Sequence, residues 1–542
     1  MHPPLWHPPI ELSAAEQVIV SRIRRAKLFI FLRQIRHRLF DEQFQRELAK
    51  IYTDSPKGHP PVPPAQLALV VILQAYTGAS DDEAIESLLM DKRWQLVLDC
   101  LDCEKAPFGK GTLVRFRGAL IKRRLDRRLI ERTVELARET QGFGHRNLRA
   151  ALDSSPLWGA GKVEDTYNLL GHALRKALGV IACQQGRELA VVASEAGASM
   201  LQASSLKAAL DINWDHPQQR QLALEQVLQA LEAVESWLAQ LPQDDMNQTV
   251  NQTLSIARQI EAQDVEVTTD GLPVLRRGVA KDRRISIEDP TMRHGRKSSA
   301  VKFNGYKRHV LTDLDSGLVI AVGLTPANVP EAWVSDAISA DLRAQSVKLV
   351  ELHIDRAYLS AKLVRQRKDE LNIYCKAWSV RNRGGRFSKN AFVLDWQQQT
   401  LTCPNQISVP LKLGKTVHFP ASDCGVCPLR ERCTTNQRGR SVKIHPDEPL
   451  LFELRRRQLT SLGRAKNRER TAVEHSLAHL GRWQGNRARY IGLRKNLFDW
   501  RRVAVVHNLH VLARHFERRF TPTSLMTPNP ENATTNQYPS QQ

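Results

Sequence analysis

The sequence is poor in cysteine and in long apolar runs, and both deficits exclude classes of protein. Eight cysteines in 542 residues are too few for a disulfide scaffold, so we expect thiols or metal ligands in a reducing cytosol. No apolar run approaches the length of a bilayer span. Residues 1–10 are rich in Pro and His and lack the basic start and apolar stretch of a secretory signal. We therefore expect a cytoplasmic protein without a membrane partner.

Acidic residues are also in deficit. There are 57 Asp and Glu residues against 79 Lys and Arg residues, which gives a formal net charge of +22. Such an excess attracts polyanions and makes their binding sensitive to salt, so nucleic acid is the leading partner. Binding of ribosomal RNA or anionic lipid without catalysis would fit the charge as well. The charge therefore predicts the class of partner and leaves the chemistry open.

The residues that are present indicate a soluble α/β protein of about three or four structural units. The predicted divisions are a basic helical segment (1–59), a helical domain (60–145), a mixed-sheet domain (146–520) and a disordered tail rich in Pro, Thr, Asn, Gln and Ser (521–542). In the helical domain, Ser80 and Glu83 have the spacing of a capping box. Its helices end in a basic stretch, which suits a helix-turn-helix DNA reader and equally a plain bundle with a solvated basic face.

The mixed-sheet domain carries two interruptions. A helical insertion is predicted at about 165–285, because residues 217–263 have the apolar periodicity of two amphipathic helices. A cysteine-bearing insert is predicted at about 380–445. Its four cysteines include a CxxC pair whose spacing lets two thiolates share one zinc ion, although packing thiols are the alternative: Cys403, Cys424, Cys427 and Cys433. The other four are interpreted as packing residues: Cys100, Cys103, Cys183 and Cys375.

Two aspartates close predicted strands, where functional groups of open sheets collect. Asp153 follows the strand 148–152, and Asp355 follows the strand 346–354, after which a helix is predicted at 360–370. Glu474 lies on a later helix, and Arg470 falls one turn earlier on the same face. Each carboxylate alone has an ordinary reading as a turn residue or an exposed helix residue. Together they predict a site for hard divalent cations that assist phosphodiester chemistry.

In this context the sequence resembles the DDE transposases of bacterial insertion sequences. The resemblance covers about residues 60–515, and the order of its motifs is more specific than any one of them. The stretches that carry it are LALVVILQAY (67–76), SDDEA (80–84), LVRFR (113–117), KFNGYKRHV (302–310), TPANV (325–329), IDRAY (354–358), CGVCPLRERC (424–433), RTAVE (470–474) and NL (508–509).

The resemblance implies a helical N-terminal domain and a ribonuclease-H-like catalytic domain with a helical insertion. It implies that Asp153, Asp355 and Glu474 form the catalytic triad that binds Mg²⁺ or Mn²⁺. The expected activity is hydrolysis of DNA strands at terminal inverted repeats and joining of the 3'-hydroxyl ends to target DNA, by a homo-oligomer on DNA. The second hypothesis is a DNA-binding protein derived from a transposase that no longer cleaves.

At several positions the sequence departs from the family pattern or offers alternatives to the implied site residues. Where related branches have Tyr and Lys around the third carboxylate, this sequence has Asn467 and Gly481. The insertion after Asp153 makes Asp165 and Asp289 substitutes for the first Asp. Basic residues near the site are expected to contact DNA phosphates, with a solvated basic face as the alternative for some of them: Arg470, Arg482 and Lys307.

Overall fold

The fold is taken from a computed structural model that describes residues 3–52, 61–139, 147–203, 205–241, 248–298, 300–368, 370–380 and 383–520. The tail predicted to be disordered, 521–542, lies outside the described residues.

Helices form the chain before the first strand of the main sheet. The predicted capping box is confirmed, because the Ser80 hydroxyl accepts from the backbone N–H of Glu83 and the Glu83 carboxylate accepts from that of Ser80. The bounds are α1 Ala14–Arg22, α2 Lys27–Leu39, α3 Glu42–Ala49, α4 Pro64–Thr77, α5 Asp81–Met90, α6 Lys92–Leu98, α7 Lys110–Arg123 and α8 Asp126–Glu139.

A mixed sheet follows these helices. Its strands are β1 Asn147–Trp158, β4 Arg293–Arg296, β5 Lys302–Asp313, β6 Val319–Pro326, β7 Lys348–Ile354 and β8 Asn372–Tyr374. They lie in the order β6-β5-β1-β7-β8, with β4 extending the β5 edge. β1 is antiparallel to β5 and parallel to β7, and β8 is parallel to β7. The predicted α/β class, with a helical N-terminal region and a mixed sheet, is confirmed.

Two segment predictions next to the aspartates are wrong. β1 does not end at Asp153, because its antiparallel pairing with β5 continues to Trp158. The parallel pairing of β1 with β7, however, ends at Leu152, so Asp153 still lies where one neighbouring strand stops. In place of one helix at 360–370, the chain forms a 3-10 turn at Arg356–Tyr358 and a four-residue helix, α15 Lys362–Arg365.

The insertion between β1 and β5 has a hydrophobic core of its own. Its helices are α9 Thr166–Gln185, α10 Leu189–Glu195, α11 Leu206–Leu210, α12 Pro217–Leu238 and α13 Gln248–Asp264, followed by the hairpin β2 Val265–Val267 and β3 Pro273–Leu275. The two amphipathic helices predicted at 217–263 correspond to α12 and α13.

The cysteine-bearing insert is built of short strands around a second small core. It contains β9 Val393–Asp395, β10 Thr400–Thr402, β11 Ser408–Pro410, β12 Thr416–His418, α16 Ala421–Gly425, α17 Arg430–Cys433 and β13 Ser441–Lys443. The remaining helices are α14 Ser335–Ala344, α18 Glu448–Arg457, α19 Ser461–Glu469, α20 Thr471–Gln484 and α21 Leu493–Phe520.

The long helix α21 joins the two main parts of the molecule. It packs against α4 and α8 of the N-terminal region and against β6 of the sheet. One continuous hydrophobic cluster therefore runs from the N-terminal helices into the sheet. The helices before β1 share a core with the main sheet, which fixes their position relative to it.

Candidate active site

The sheet register places two of the predicted carboxylates side by side. Leu152 of β1 pairs with Ile354 of β7, so the next residues along these parallel strands are Asp153 and Asp355. Asp355 then turns the chain by accepting a hydrogen bond from the backbone N–H of Arg356 at 2.7 Å.

The third carboxylate is supplied by a helix packed against β1 and β5. Val473, Leu477 and Leu480 are the apolar residues of α20 that face the core, and their spacing leaves Glu474 exposed beside them. Arg470, at the N-cap of α20, donates to Asp153 at 2.6 Å and to Glu474 at 2.8 Å. A single guanidinium thus joins the helix to the strand.

Asp153, Asp355 and Glu474 line one cleft of about 530 Å³, which we call the catalytic cleft. Burial raises the pKa of Asp153, as does the nearby Asp355 carboxylate, whereas the Ser154 N–H and the Arg470 guanidinium oppose the rise. The three carboxylates lie on neighbouring elements, and Asp153 among them is partly buried. Such a set of oxygen ligands suits a hard divalent cation.

The three basic residues predicted to contact DNA have different surroundings. Arg470 is held by two carboxylates. Lys307 lines the catalytic cleft but is buried, donates to the carbonyl oxygen of Val329 at 2.8 Å and pairs with Glu331 at 2.9 Å. Arg482 is exposed near the end of α20. In the structure, Arg482 is therefore the most available of the three for a phosphate.

The substitutes for the first aspartate have other positions. Asp165 caps α9 by accepting from the N–H of Asn168 and pairs with Lys207. Asp289 is fully buried and accepts hydrogen bonds from the Tyr306 hydroxyl at 2.6 Å and the Gly492 N–H at 3.1 Å. Both carboxylates serve local structure, whereas Asp153 lines the catalytic cleft.

Sequence reasoning missed a second charged cluster beside the site. Arg149 donates to Glu351 at 3.0 Å and to Glu469 at 2.5 Å, and Lys466 donates to Glu351 at 3.0 Å. Burial would raise the pKa of Glu351, but hydrogen bonds from Arg149, His353 and Lys466 outweigh it and lower that pKa to about 2. The missed signal is the period of two along β7, which puts Glu351, His353 and Asp355 on one face.

The cluster is also where potential metal ligands are most tightly grouped. Among the described residues, the ligand atoms of Glu351, His353 and Glu469 lie within 4.8 Å of one another. Arg149 and Lys466 already neutralise these carboxylates. The cluster therefore holds β1, β7 and the end of α19 together through ion pairs.

A buried polar layer lies behind the carboxylates. The Tyr358 hydroxyl and the His309 Nδ1 atom are 2.8 Å apart, and the His309 Nε2 atom is 3.0 Å from the Thr325 hydroxyl. Burial lowers the pKa of His309 to about 3, so the ring is neutral at physiological pH. Tyr358 also lines the catalytic cleft, which links this layer to the site.

The cysteines of the insert are brought together, although loosely. Cys403, Cys424, Cys427 and Cys433 line one small pocket, and the backbone N–H of Arg440 donates to the Cys424 sulfur at 3.4 Å. They are not among the described groups with ligand atoms within 4.8 Å, whereas a zinc ion with Zn–S bonds of about 2.3 Å would hold its sulfurs closer. The packing prediction for the other cysteines is wrong for Cys183, which is exposed.

Two family comparisons bear on this arrangement. A family model described as "Transposase domain (DUF772)" matches residues 20–119, within the N-terminal helical region. A second, described as "Transposase DDE domain", matches residues 402–513, which include the cysteines of the insert and Glu474. No curated protein and no solved structure matches the chain.

Two stretches of the chain, residues 20–119 and 402–513, are therefore similar to transposase domains. Because a DDE-domain match accompanies the N-terminal match, the predicted resemblance to the DDE transposases of insertion sequences is confirmed. Asp153 and Asp355 lie outside both matched ranges, so their assignment depends on the geometry of the cleft. Across the part of the chain that the structure describes, no helix is long and apolar enough to cross a bilayer.

Proposed function

We propose that this protein is a transposase that hydrolyses DNA strands at the ends of an insertion sequence and joins the 3'-hydroxyl ends to target DNA. The observation that carries the proposal is the convergence of three carboxylates from β1, the end of β7 and α20 on one cleft. Terminal repeats and target DNA are the proposed partners, in the cytoplasm and with the protein as a homo-oligomer that holds both ends.

The donor set fits Mg²⁺ or Mn²⁺. Asp153, Asp355 and Glu474 offer hard oxygen ligands, and the positive charge of Arg470 is already placed between two of them. Bound divalent ions would supply an activated water or 3'-hydroxyl and neutralise charge on the leaving oxygen. The chain's own part is to hold the carboxylates: the register of β1 and β7 fixes two, and packing of α20 on the sheet fixes the third.

Arg470 has a second part in this proposal. The guanidinium pairs with Asp153 and Glu474, and it would be released if divalent cations bound those oxygens. It can then donate to a phosphate oxygen of the bound strand, for which its planar fork is suited.

The test is strand cleavage by purified Asp355→Ala protein. We expect loss of Mg²⁺-dependent nicking of DNA that contains the element's terminal repeats, with end binding nearly unchanged, because the carboxylate binds metal and not phosphate. Asp336→Ala is the matched control, since Asp336 is an exposed carboxylate on α14 that pairs with Lys362.

The outcomes separate the two hypotheses. Nicking by wild-type and Asp336→Ala proteins but not by Asp355→Ala supports the proposed enzyme. If Asp355→Ala cleaves at the wild-type rate, Asp355 is not a catalytic carboxylate and the triad assignment is wrong. End binding without nicking by any of the three proteins would favour a DNA-binding protein that no longer cleaves.

A further inference from the structure

A second cleft of the described structure lies outside the catalytic cleft. It has a volume of about 960 Å³ and lies between the α1–α2 junction, α20, α21 and the turn after β5. We call it the basic cleft, after five of its lining residues: Arg24, Arg25, Lys27, Arg482 and Arg514.

These five cations are exposed and available. None of them forms an ion pair with a carboxylate in the part of the chain that the structure describes, in contrast to Arg470 and Lys307 of the catalytic cleft. The carboxylate that lines the basic cleft, Asp315, is paired with Arg149 at 2.6 Å. The cleft therefore presents uncompensated positive charge from three separate parts of the chain.

Two of the histidines that line the basic cleft, His479 and His510, do not add to this charge at neutral pH. Burial, together with the neighbouring His507 and Arg514, lowers the pKa of His479 and of His510 to about 4. The positive potential consequently comes from the arginines and the lysine, which keep their charge at any physiological pH.

One helix connects the two clefts. Glu474 and Leu477 of α20 line the catalytic cleft, while His475 and Arg482 line the basic cleft. Eight residues separate Glu474 from Arg482, which puts them about 80° apart around the helix axis. The exposed Ala478 lies between them. The width of α20 that separates the two clefts is about 10–12 Å, whereas one turn of duplex DNA is about 34 Å long. A duplex that lies across the exposed side of α20 can therefore reach both clefts.

We propose that the basic cleft binds the phosphate backbone of duplex DNA, next to the strand that occupies the catalytic cleft. The inference rests on the proposed function, and it assigns to the protein a DNA contact that does not depend on sequence. Charge complementarity identifies the ligand: exposed cations that no carboxylate neutralises, spaced along a cleft, suit a ladder of phosphates. Arg24, Arg25 and Lys27 then give the N-terminal region a direct role in holding the cut DNA.

The experiment measures equilibrium binding of a duplex of arbitrary sequence to full-length protein, without divalent metal, over a range of salt concentrations. The variant is Arg25→Gln combined with Arg482→Gln and Arg514→Gln, which removes one cation from each part of the cleft. We expect binding at least about tenfold weaker and a salt slope reduced by about 2 to 3, at about 0.9 per lost phosphate contact.

The matched control removes the same charge elsewhere. Lys412→Gln combined with Lys415→Gln and Arg438→Gln takes three exposed cations from the cysteine-bearing insert. We expect its affinity and salt slope to stay close to those of the wild type. Circular dichroism and melting temperature of both triple variants check that each one is folded.

The inference is overturned if the cleft variant keeps wild-type affinity and slope, or if the control loses as much, since the effect would then follow net charge alone. It is also overturned if single-stranded RNA binds more tightly than duplex DNA and only RNA binding depends on the cleft. Because DNA binding is measured without metal, it does not depend on cleavage. If the protein does not cleave DNA, the comparison with Asp355→Ala shows it, and the binding result for the basic cleft still stands.

Discussion

Arg470 contacts two of the three carboxylates of the cleft, Asp153 and Glu474. Asp153 is largely buried, and Asp355 beside it is a like charge that raises its pKa. A guanidinium at 2.6 Å offsets part of that repulsion. In the proposed metal site, the same contact would make Arg470 a competitor of the cation, which would couple metal binding to the position of Arg470.

The residue that tests the third ligand is Glu474. Glu474→Gln keeps the size of the side chain while removing the charge that a hard cation needs. We expect loss of several kcal/mol of transition-state stabilisation, or more than about 100-fold in cleavage rate. The melting temperature should stay unchanged, because the side chain is exposed and only its pair with Arg470 is lost.

Glu469→Gln is the matched control for this substitution. Glu469 ends α19 and pairs with Arg149 and Lys466, away from the catalytic cleft. Its partly exposed pairs predict a stability loss of about 1 kcal/mol or less and retained cleavage. An inactive Glu469→Gln beside an active Glu474→Gln would move the third ligand to Glu469.

At the scale of secondary-structure elements, the close pairing of β5 with β1 depends on one glycine, Gly305. Gly305 has φ +149°, and a Cβ there would lie 2.2 Å from the carbonyl oxygen of Leu157 on β1. Gly305→Ala should therefore cost about 2 kcal/mol or more, from backbone strain and from displacement of β1. Urea unfolding of the variant measures the cost, and cleavage should fall as well, because β1 carries Asp153.

For the control glycine, Gly118, we expect substitution by Ala to raise the stability of the protein instead of lowering it. Gly118 lies in the exposed interior of α7, and a Cβ there would meet nothing within 4 Å. Gly118→Ala should stabilise the protein by about 0.5–1 kcal/mol, through the reduced freedom of the unfolded chain. Equal effects at Gly118 and Gly305 would contradict the crowding argument at β5.

The cysteine-bearing insert gives a prediction about metal content. We expect one structural Zn²⁺ per chain, held by Cys403, Cys424, Cys427 and Cys433, because the insert is small and its thiols line one pocket. Metal analysis should find zinc in the wild type and in Cys183→Ser, and little in Cys427→Ser. Purified wild-type protein without zinc would leave the packing interpretation.

At the scale of the whole molecule, buried histidines predict the pH dependence of stability. The pKa of His309 is lowered to about 3 by burial, and Asp341 opposes the effect because burial raises its pKa to about 6. In the unfolded chain, the His309 side chain binds a proton with the ordinary histidine pKa of 6.5. The stability that neutral His309 contributes is therefore fully present above that pH, and it is lost as the pH falls from 6.5 towards the folded-state pKa of about 3. His309 alone should lose ~2 kcal/mol at about pH 5.

The measurement compares the urea midpoint at about pH 7.5 and about pH 5 for the wild type and two variants. His309→Gln should have a lower midpoint at neutral pH and a weaker fall on acidification. His216→Gln should behave as the wild type, because His216 is exposed at the start of α12. A wild-type urea midpoint that is higher at about pH 5 than at about pH 7.5 would contradict the neutral state of the buried histidines.

Much of this protein was determined by local sequence. The capping residues Ser80 and Glu83 fix the start of α5, and apolar periodicity gives α12 and α13, because these features depend on neighbours within a few residues. The candidate carboxylates could also be predicted, since Asp355 follows a strand and Glu474 lies beside the apolar face of a helix. The excess of positive charge indicated nucleic acid before any contact was known.

Only the tertiary structure decided which distant groups meet. The extent of β1 depends on its pairing with β5, and the position of Asp153 depends on where β7 stops beside it. The pairing of Arg149 with Glu351 and Glu469 and the gathering of Arg25, Arg482 and Arg514 join segments far apart in the chain. Local propensity carries no information about such contacts, because packing of the whole core, through α21 above all, brings these segments together.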